Sequence, residues 1–381
     1  SKAGYGVTRR NLRLESAASE SITVDLSARL GTVVVNVQPE DATVYVDGRA
    51  RGRGNVTLRL SSAPHRIEVK RQGYRAWSRS ITPRPGYPQT LSARLRTLAA
   101  VASDSIAKTE KTAAGQTLRR VEGATFSMGA SRAEVGRRAN EVIRPVTITR
   151  PFLIGVKEVT NREFAQFRAN HDSGADLHPS LAADDNPVAN VSWADAVQYC
   201  NWLSQQEGRT PAYRQEFDQW VPVLPMPDGY RLPTEAEWAL AMRYAGGKEA
   251  LKFPWGAKWP PPENSGNLAD RSARELVPSI LPTYDDGFAS TSPVGKFKPN
   301  RLGIYDSAGN VAEWVHDFYT VPTPGITTPV VDPVGPERGT SHVVRGSSWR
   351  HAGITELRLS YRDYSNEPQP DIGFRIARNA D

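Results

Sequence analysis

Alternation of apolar and polar positions is the clearest pattern in the first hundred residues. Such alternation is typical of strands that bury one face. Pro39–Ala42 predicts a turn, and Asp47-Gly48 predicts a tight hairpin because glycine tolerates a positive φ. The predicted strands are Thr32–Val37, Thr43–Val46, Asn55–Leu60 and His65–Arg71. Residues 31–95 are therefore predicted to form a complete small β module.

A partial repeat precedes this module. Ala3-Gly4-Tyr5, followed by Leu26 to Leu30, matches Gln72-Gly73-Tyr74, followed by Leu91 to Leu95. We therefore expect residues 1–30 to be the C-terminal half of an earlier copy. A half-module cannot bury its own sheet, so the missing half should lie upstream in the native protein.

The character of the chain changes after residues 96–117, a stretch rich in Ala, Ser, Thr and Lys that predicts a linker. Short apolar runs then predict strands at 121–129, 146–149 and 151–155. Residues 208–227 are predicted to be an inserted loop, which either determines specificity or is a tolerated surface excursion. Residues 118–381 are predicted to form one α+β domain with little regular structure.

Three predicted helices begin with the same short motif. A Ser or Thr is followed three residues later by an acidic residue, which is typical of a capping box. Each of the two side chains then accepts a hydrogen bond from a backbone N–H of the first turn. The three pairs are Thr160 with Glu163, Ser192 with Asp195, and Thr234 with Glu237.

Composition and charge narrow the function classes. The 381 residues are 39% hydrophobic and 23% charged, as in ordinary soluble domains, and no apolar run is long enough to span a membrane. The net charge of +7 favours either a solvated basic face or an acidic partner such as a polysaccharide or anionic lipid. The arginines are dispersed, which favours the solvated face, and without a recognised nucleic-acid motif we do not expect a nucleic-acid partner.

The number of cysteines also limits the possible disulfides and the cellular compartment. Cys200 is the only cysteine, so the chain cannot form an internal disulfide, which fits the cytosol or a bacterial periplasm. Cys200 lies within the apolar pattern of a predicted helix. A buried small side chain is favoured over a reactive thiol.

The second region resembles the formylglycine-generating enzyme family. Five motifs occur in the order of that family's domain: Glu158–Asn161, Pro187–Trp193, Arg231–Trp238, Gly309–Trp314 and Arg345–Trp349. The resemblance covers about residues 118–379 and implies a variant of the C-type lectin fold with many loops. Residues 31–95 are similar to the PEGA domain, a small β-sandwich of bacterial surface and periplasmic proteins.

The resemblance implies two calcium sites. Both sets combine carboxylate or amide oxygens with backbone carbonyls in turns, and these are ligands that Ca²⁺ prefers. The first set is Asn267, Leu268, Asp286 and Phe288, and the second is Asp306, Gly309, Val311 and Glu313. The alternative is that these residues only cap and stabilise turns.

The family's oxidative members bind copper(I) through two cysteines shortly after the Gly-Ser segment. Here the corresponding window, 349–356, contains no cysteine, so we do not expect copper. Convergence of His316, His342 and His351 on a metal stays open, although structural histidines are favoured. A Ser-His-Asp triad from Ser347 or Ser348 with His351 and Asp363 is a weaker alternative.

The C-terminal segment supplies recognition chemistry instead. Aromatic faces and forked arginine donors are common interface anchors. The candidate ligand-binding residues are Trp349, Arg350, His351, Arg358, Tyr361, Arg362, Asp363 and Tyr364. In the alternative reading Trp349 and Tyr361 belong to the core, and Arg358 and Arg362 pair with Glu313 or Asp363.

Two functions follow from these observations. The first is a non-catalytic binding or scaffolding protein whose calcium-stabilised, lectin-like domain recognises a protein or glycan of the bacterial envelope. It would be periplasmic or on the cell surface, tethered to a membrane only through a segment upstream of Ser1. The second is a metal-dependent oxidase or maturation enzyme that acts on a peptide without the copper-binding cysteine pair.

Overall fold

The computed structural model describes residues 28–97 and 109–380, and the chain divides into two compact units, Ser1–Ala107 and Lys108–Asp381. The predicted half-module at 1–30 lies almost wholly outside the described residues, as does the middle of the predicted linker. Thr109–Lys111, placed in that linker by the sequence, forms a strand of the second unit. Neither described stretch contains a helix long and apolar enough to cross a membrane.

The described residues of the first unit, 28–97, form two β-sheets that share one core. Its strands are β1 (Leu30–Gln38), β2 (Thr43–Val46), β3 (Arg49–Arg53), β4 (Val56–Ser61), β5 (His65–Lys70), β6 (Trp77–Ile81) and β7 (Gln89–Arg94). One sheet has the order β4-β1-β7, with β1 antiparallel to β4 and parallel to β7. The other has the order β3-β2-β5-β6 and is antiparallel throughout. Inward residues of both sheets, such as Val35 and Ile67, meet in the core.

Local chemistry explains the first hairpin. Asp47 and Gly48 both have positive φ, 50° and 79°, which matches a tight turn between right-twisted strands. The Asp47 carboxylate accepts hydrogen bonds from Arg66 N at 2.8 Å and from the His65 ring at 2.7 Å. The four predicted strands are confirmed. Strands β3, β6 and β7 were not predicted, and Arg49–Arg53 of β3 contains no alternating apolar residues.

The second unit contains four sheets of short strands. Its strands are β8 (Thr109–Lys111), β9 (Thr117–Val121), β10 (Thr125–Met128), β11 (Arg144–Thr147), β12 (Phe152–Gly155), β13 (Tyr213–Glu216), β14 (Gln219–Pro222), β15 (Ala312–Phe318), β16 (Val330–Val331), β17 (His342–Arg345), β18 (Arg362–Ser365), β19 (Ile372–Phe374) and β20 (Ala377–Asn379). The sheet orders are β20-β12-β9-β8, β10-β11-β16, β13-β14 and β18-β17-β15-β19. The predicted α+β class is confirmed.

The strand prediction for residues 121–129 is wrong. The single strand predicted at 121–129 is two strands, β9 and β10, which belong to different sheets. Regular strand pairing is interrupted at residues 122–124. Gly123 lies so close to the Ile148 carbonyl there that a Cβ would be 2.3 Å from its oxygen. Apolar alternation does not reveal such a crossing.

The three predicted capping boxes are all present. They open α1 (Asn161–Ala165), α2 (Trp193–Gln206) and α3 (Glu235–Ala239). In α1, Glu163 N donates to Thr160 Oγ1 at 3.2 Å, and Thr160 N donates to the Glu163 carboxylate at 2.8 Å. A 3₁₀ turn at Pro179–Ala182 and a π-helical turn at Leu240–Tyr244 complete the helical segments of the described chain.

Candidate functional site

The residues of the first predicted cation site meet in space. The Asp286 carboxylate accepts hydrogen bonds from Leu268 N at 2.7 Å and from Phe288 N at 2.9 Å. The Asn267 amide lies 3.4 Å from the same carboxylate. Asp270, which the sequence analysis did not select, accepts the hydrogen bond of Asp286 N and adds a second acid.

Burial makes this cluster electrostatically costly. Burial, together with the nearby negative charge of Asp270, raises the pKa of Asp286 to about 7. Asn267 is fully buried, and its Oδ1 has no hydrogen-bond partner among the described residues. An unpartnered oxygen beside the half-buried Asp286 and buried Asp270 carboxylates fits a hard cation such as calcium.

The second predicted site centres on Asp306. This residue is buried and adopts a left-handed backbone conformation with φ 58°. Its Oδ2 accepts a hydrogen bond from Gly295 N at 2.6 Å, whereas its Oδ1 has no partner in the part of the chain that the structure describes. Burial raises the pKa of Asp306 to about 6, so this carboxyl also carries charge that a cation could offset.

Glu158 is a second acid near this site that the sequence analysis did not assign. It accepts hydrogen bonds from Val311 N at 3.2 Å and from the Asn310 amide at 2.8 Å. Burial raises its pKa well above the ordinary value, and the charges of Asp306 and Glu313 add to this effect. The sequence offered one signal for this role: Glu158 is an acid two residues before the capping box at Thr160.

Gly309 joins the two predicted sites. Its backbone pairs with that of Asn267, and a Cβ at Gly309 would lie 1.6 Å from the Asn267 carbonyl oxygen. Gly309 N also donates to Ser347 Oγ at 2.9 Å, which connects the sites to the C-terminal segment. Glycine is required here both by the close approach and by φ of 80°.

The Glu313 side chain is already engaged. Arg375 donates to its two carboxylate oxygens at 2.7 Å each, and Trp238 Nε1 donates at 2.9 Å. All three side chains are buried. Glu313 thus forms part of a buried ion pair, and a calcium ion at the second site would depend on Asp306 and backbone oxygens for most of its ligands.

Across residues 28–97 and 109–380, no set of three or more His, Cys, Asp or Glu side chains is arranged to hold a metal ion. His316 is buried beside Tyr213, whose hydroxyl lies 2.9 Å from its Nδ1. The His342 ring stacks on Trp193 at 3.6 Å. His351 lies instead against Ser348, so the three histidines do not form a ligand set.

The Ser-His-Asp triad considered in the sequence analysis is not formed either. Ser348 Oγ donates to Asp371 at 2.7 Å, and His351 Nδ1 accepts the Ser348 backbone N–H at 3.0 Å. Asp363 contacts Tyr361 and Arg138 rather than His351. The serine therefore lies between the acid and the histidine, which differs from the arrangement of a nucleophilic triad.

Four of the eight candidate ligand residues are buried. Trp349 packs with Leu181 in a small core cluster, and its Nε1 donates to Pro370 O at 3.2 Å. Tyr361 is buried with its hydroxyl bonded to Asp363 at 2.5 Å. Trp349 and Tyr361 are therefore buried, as expected in the alternative reading that assigned them to the core.

The buried arginines have other partners than predicted. Arg358 pairs with Glu134 and Glu141, and Arg362 pairs with Glu235 at 2.7 Å. Neither contacts Glu313 or Asp363 through an ion pair in the described residues. The partners of Arg358 lie more than 200 residues away in sequence, so local pattern could not identify them.

The other four candidates remain accessible. Arg350 is exposed above the Trp349 ring, and Tyr364 is 49% exposed. His351 and Asp363 are half-buried. His351 and Asp363 both contact the buried Tyr361, because the ring centroids of His351 and Tyr361 are 6.2 Å apart and the Tyr361 hydroxyl donates to Asp363.

Cys200, the chain's one thiol, is not among these accessible residues. Cys200 is fully buried in α2, and burial raises its pKa well above the ordinary value.

The loop predicted at residues 208–227 contains a hairpin of β13 and β14. Phe217 at its tip is 98% exposed, a feature that the sequence analysis did not single out.

Comparison with known proteins gives the family. The model of the sulfatase-modifying factor enzyme 1-like domain matches residues 103–380, and that of the PEGA domain matches residues 30–98. The formylglycine-generating enzyme of Streptomyces coelicolor is 31% identical over 287 residues, which cover 69% of this chain and 89% of the relative.

Other relatives differ in their described activity. The inactive C-alpha-formylglycine-generating enzyme 2 of Mus musculus is 29% identical over 291 residues, covering 68% of this chain and 84% of the relative. The solved structure of Treponema denticola variable protein 1 is 25% identical, covers 72% of this chain and 99% of its own, and superposes with a TM-score of 0.52. The fold, the ordered motifs and these matches agree: the chain belongs to the sulfatase-modifying factor enzyme 1-like family, with a PEGA domain preceding the family's domain.

Proposed function

We propose that this chain is a non-catalytic binding protein that presents its C-terminal segment to a protein or glycan of the bacterial envelope. The observation that carries the proposal is the chemistry of the segment after Ser348. It offers an imidazole, an arginine and tyrosines, but no thiol. The chain's single thiol is sealed inside α2. Soft copper(I) requires thiolate or thioether ligands, so this segment lacks the donors for the family's oxidative chemistry.

The surface that remains is suited to recognition. Arg350, His351, Asp363 and Tyr364 offer a cation, an imidazole, a carboxylate and an aromatic face. The same segment contains two buried ion pairs, Arg358 with Glu141 and Arg362 with Glu235, which anchor it to the rest of the unit. A rigid support lowers the entropy lost on binding.

Calcium has a structural role in this proposal. Asp286 with Asn267, and Asp306 with neighbouring backbone, would hold the ions between loops that regular structure does not stabilise. Bound calcium would offset the buried negative charge and satisfy the unpartnered oxygens of Asn267 and Asp306. The PEGA match suggests an extracellular or periplasmic context.

Activity measurements test the non-catalytic part of the proposal. The purified chain is incubated with a cysteine-containing peptide, copper(I) and oxygen, and mass spectrometry follows conversion of the thiol to an aldehyde. The S. coelicolor relative serves as the positive control. We expect no conversion, and turnover by this chain would establish the oxidase alternative.

Binding measurements test the recognition part. Envelope glycans and proteins are screened with the wild type and with Arg350→Ala and Tyr364→Ala, and Arg301→Ala serves as a control at another exposed arginine of the unit. A ligand found by the wild type should be weakened by the first two changes and unaffected by the third. Equal binding by all variants would place recognition elsewhere.

A further inference from the structure

The positive charge of the chain is concentrated in its small first unit. Residues 28–97 contain 13 arginines and lysines but only four aspartates and glutamates, a net charge of +9. The whole chain carries +7, so the other 311 residues together carry −2. Seen along the sequence the arginines look dispersed, but a count for each unit shows a strongly basic module.

Most of this charge faces solvent. Of the 13 basic residues, only Arg71 is half-buried, and the others are exposed. Twelve of them are arginines, whose planar fork binds carboxylate and phosphate groups with two hydrogen bonds. The unit's acids form ion pairs mainly around Asp41 and Glu68, where Arg53, Arg66, Lys70 and Arg71 are partly neutralised.

Arg79 and Arg84 lie apart from those acids. Within the described residues, neither forms an ion pair. They line an open groove of about 620 Å³ between β6 and the start of β7, each an edge strand of its sheet. Ser80, Thr82 and Thr90 supply hydroxyl groups along the same groove.

The turn beside the groove adds an aromatic face. Tyr87 is 73% exposed, and its backbone N–H donates to Arg84 O at 3.2 Å, which holds the tyrosine next to the arginine. A groove with arginine forks, hydroxyl groups and an aromatic ring matches a sugar chain that carries acidic groups. The exposed large apolar residues of the described first unit are Leu30 and Tyr87, which is little apolar surface for insertion into a bilayer.

We propose that the first unit binds an anionic polysaccharide, a glycan chain bearing carboxylate groups, in the groove lined by Arg79 and Arg84. The surrounding basic surface attracts the polymer, and the two arginines bind its acidic groups directly. This site is separate from the C-terminal segment of the second unit and does not depend on the function proposed for it.

The test uses the full 381-residue chain. Binding to polygalacturonate is measured by calorimetry at several NaCl concentrations, with neutral dextran and vesicles of phosphatidylglycerol and phosphatidylcholine in parallel. The variant is Arg79→Gln/Arg84→Gln. The matched control is Arg132→Gln/Arg274→Gln, which removes the same charge from exposed positions of the second unit.

We expect polygalacturonate to bind, with affinity that falls as salt rises. The Arg79/Arg84 variant should bind about tenfold more weakly, since two exposed charge contacts are lost, while the control should match the wild type. Arg79→Lys/Arg84→Lys, which keeps the charge without the forks, should lie between them. Absence of binding at low salt, equal weakening by both double variants, or binding to the anionic vesicles alone would each overturn the proposal.

Discussion

Replacing Glu235 with glutamine should strongly destabilise the second unit, because three arginines share this buried carboxylate. Arg362 donates to it at 2.7 and 3.0 Å, Arg144 lies at 3.1 Å, and Arg345 lies at 3.8 Å. These contacts join α3 to β11, β17 and β18. Glutamine preserves the shape of the side chain but leaves the arginines without its charge, and uncompensated buried charges are costly.

The pKa of Glu235 gives the magnitude. Burial opposes ionisation, but the charges of Arg362, Arg144 and Arg345 outweigh it and lower the pKa from 4.5 to about 2. A depression of that size corresponds to about 3 kcal/mol of stability at neutral pH. Asp317 reduces the loss in the variant, because removal of the Glu235 charge lets this neighbouring carboxyl ionise more readily. The 3 kcal/mol is therefore the upper end of the expected effect.

The pH dependence makes the prediction specific. Since the folded pKa is depressed, the stabilisation is complete above the unfolded pKa and is lost as pH falls toward 2. The difference between wild type and Glu235→Gln should shrink from about 3 kcal/mol at neutral pH to about 1 kcal/mol at pH 3.

Urea denaturation at a series of pH values measures this difference. Glu216→Gln is the control, since Glu216 forms an exposed pair with Arg214, and we expect a change of at most about 0.5 kcal/mol there. A loss below about 1 kcal/mol for Glu235→Gln at neutral pH, or one that does not change with pH, would refute the electrostatic reasoning.

Three further predictions concern other parts of the second unit. Calcium at about 100 times its Kd should stabilise the wild type by about 2.7 kcal/mol for each occupied site in thermal melts. EGTA should remove the whole effect and Asp286→Asn only the share of the first site, whereas unchanged melting on calcium addition would argue against the predicted cation sites. Thr234→Ala should cost about 1 kcal/mol in urea denaturation, because Thr234 Oγ1 accepts a hydrogen bond from Glu237 N at 3.1 Å, and Thr234→Ser should recover most of it. Cys200 should react with a thiol reagent only after unfolding, since it is fully buried with a raised pKa, and rapid labelling of the native chain would contradict its burial.

Several features of this protein follow from short stretches of sequence. The capping boxes at Thr160, Ser192 and Thr234 were predictable because both partners lie within one helical turn. In the first unit, β1, β2, β4 and β5 were predicted from alternating apolar and polar residues, whereas β3, β6 and β7 were not predicted. The burial of Cys200 followed from the apolar pattern of its helix.

The partners of the polar residues were decided only by tertiary structure. Arg358 meets Glu141 across 217 residues, and Glu313 meets Arg375 across 62. Similarly, only the tertiary structure places Asp270 beside Asp286 and Glu158 near Asp306, the carboxylates of the two predicted cation sites.

The sequence by itself therefore determined the three capping boxes, four strands of the first unit, the family and the lack of thiols in the C-terminal segment, because these depend on local spacing and residue type. Tertiary structure decided which candidate ligand residues are buried and which face solvent. The physical reason is that a buried charge must find a partner, and in a loop-rich fold that partner comes from a distant segment whose approach no local pattern encodes.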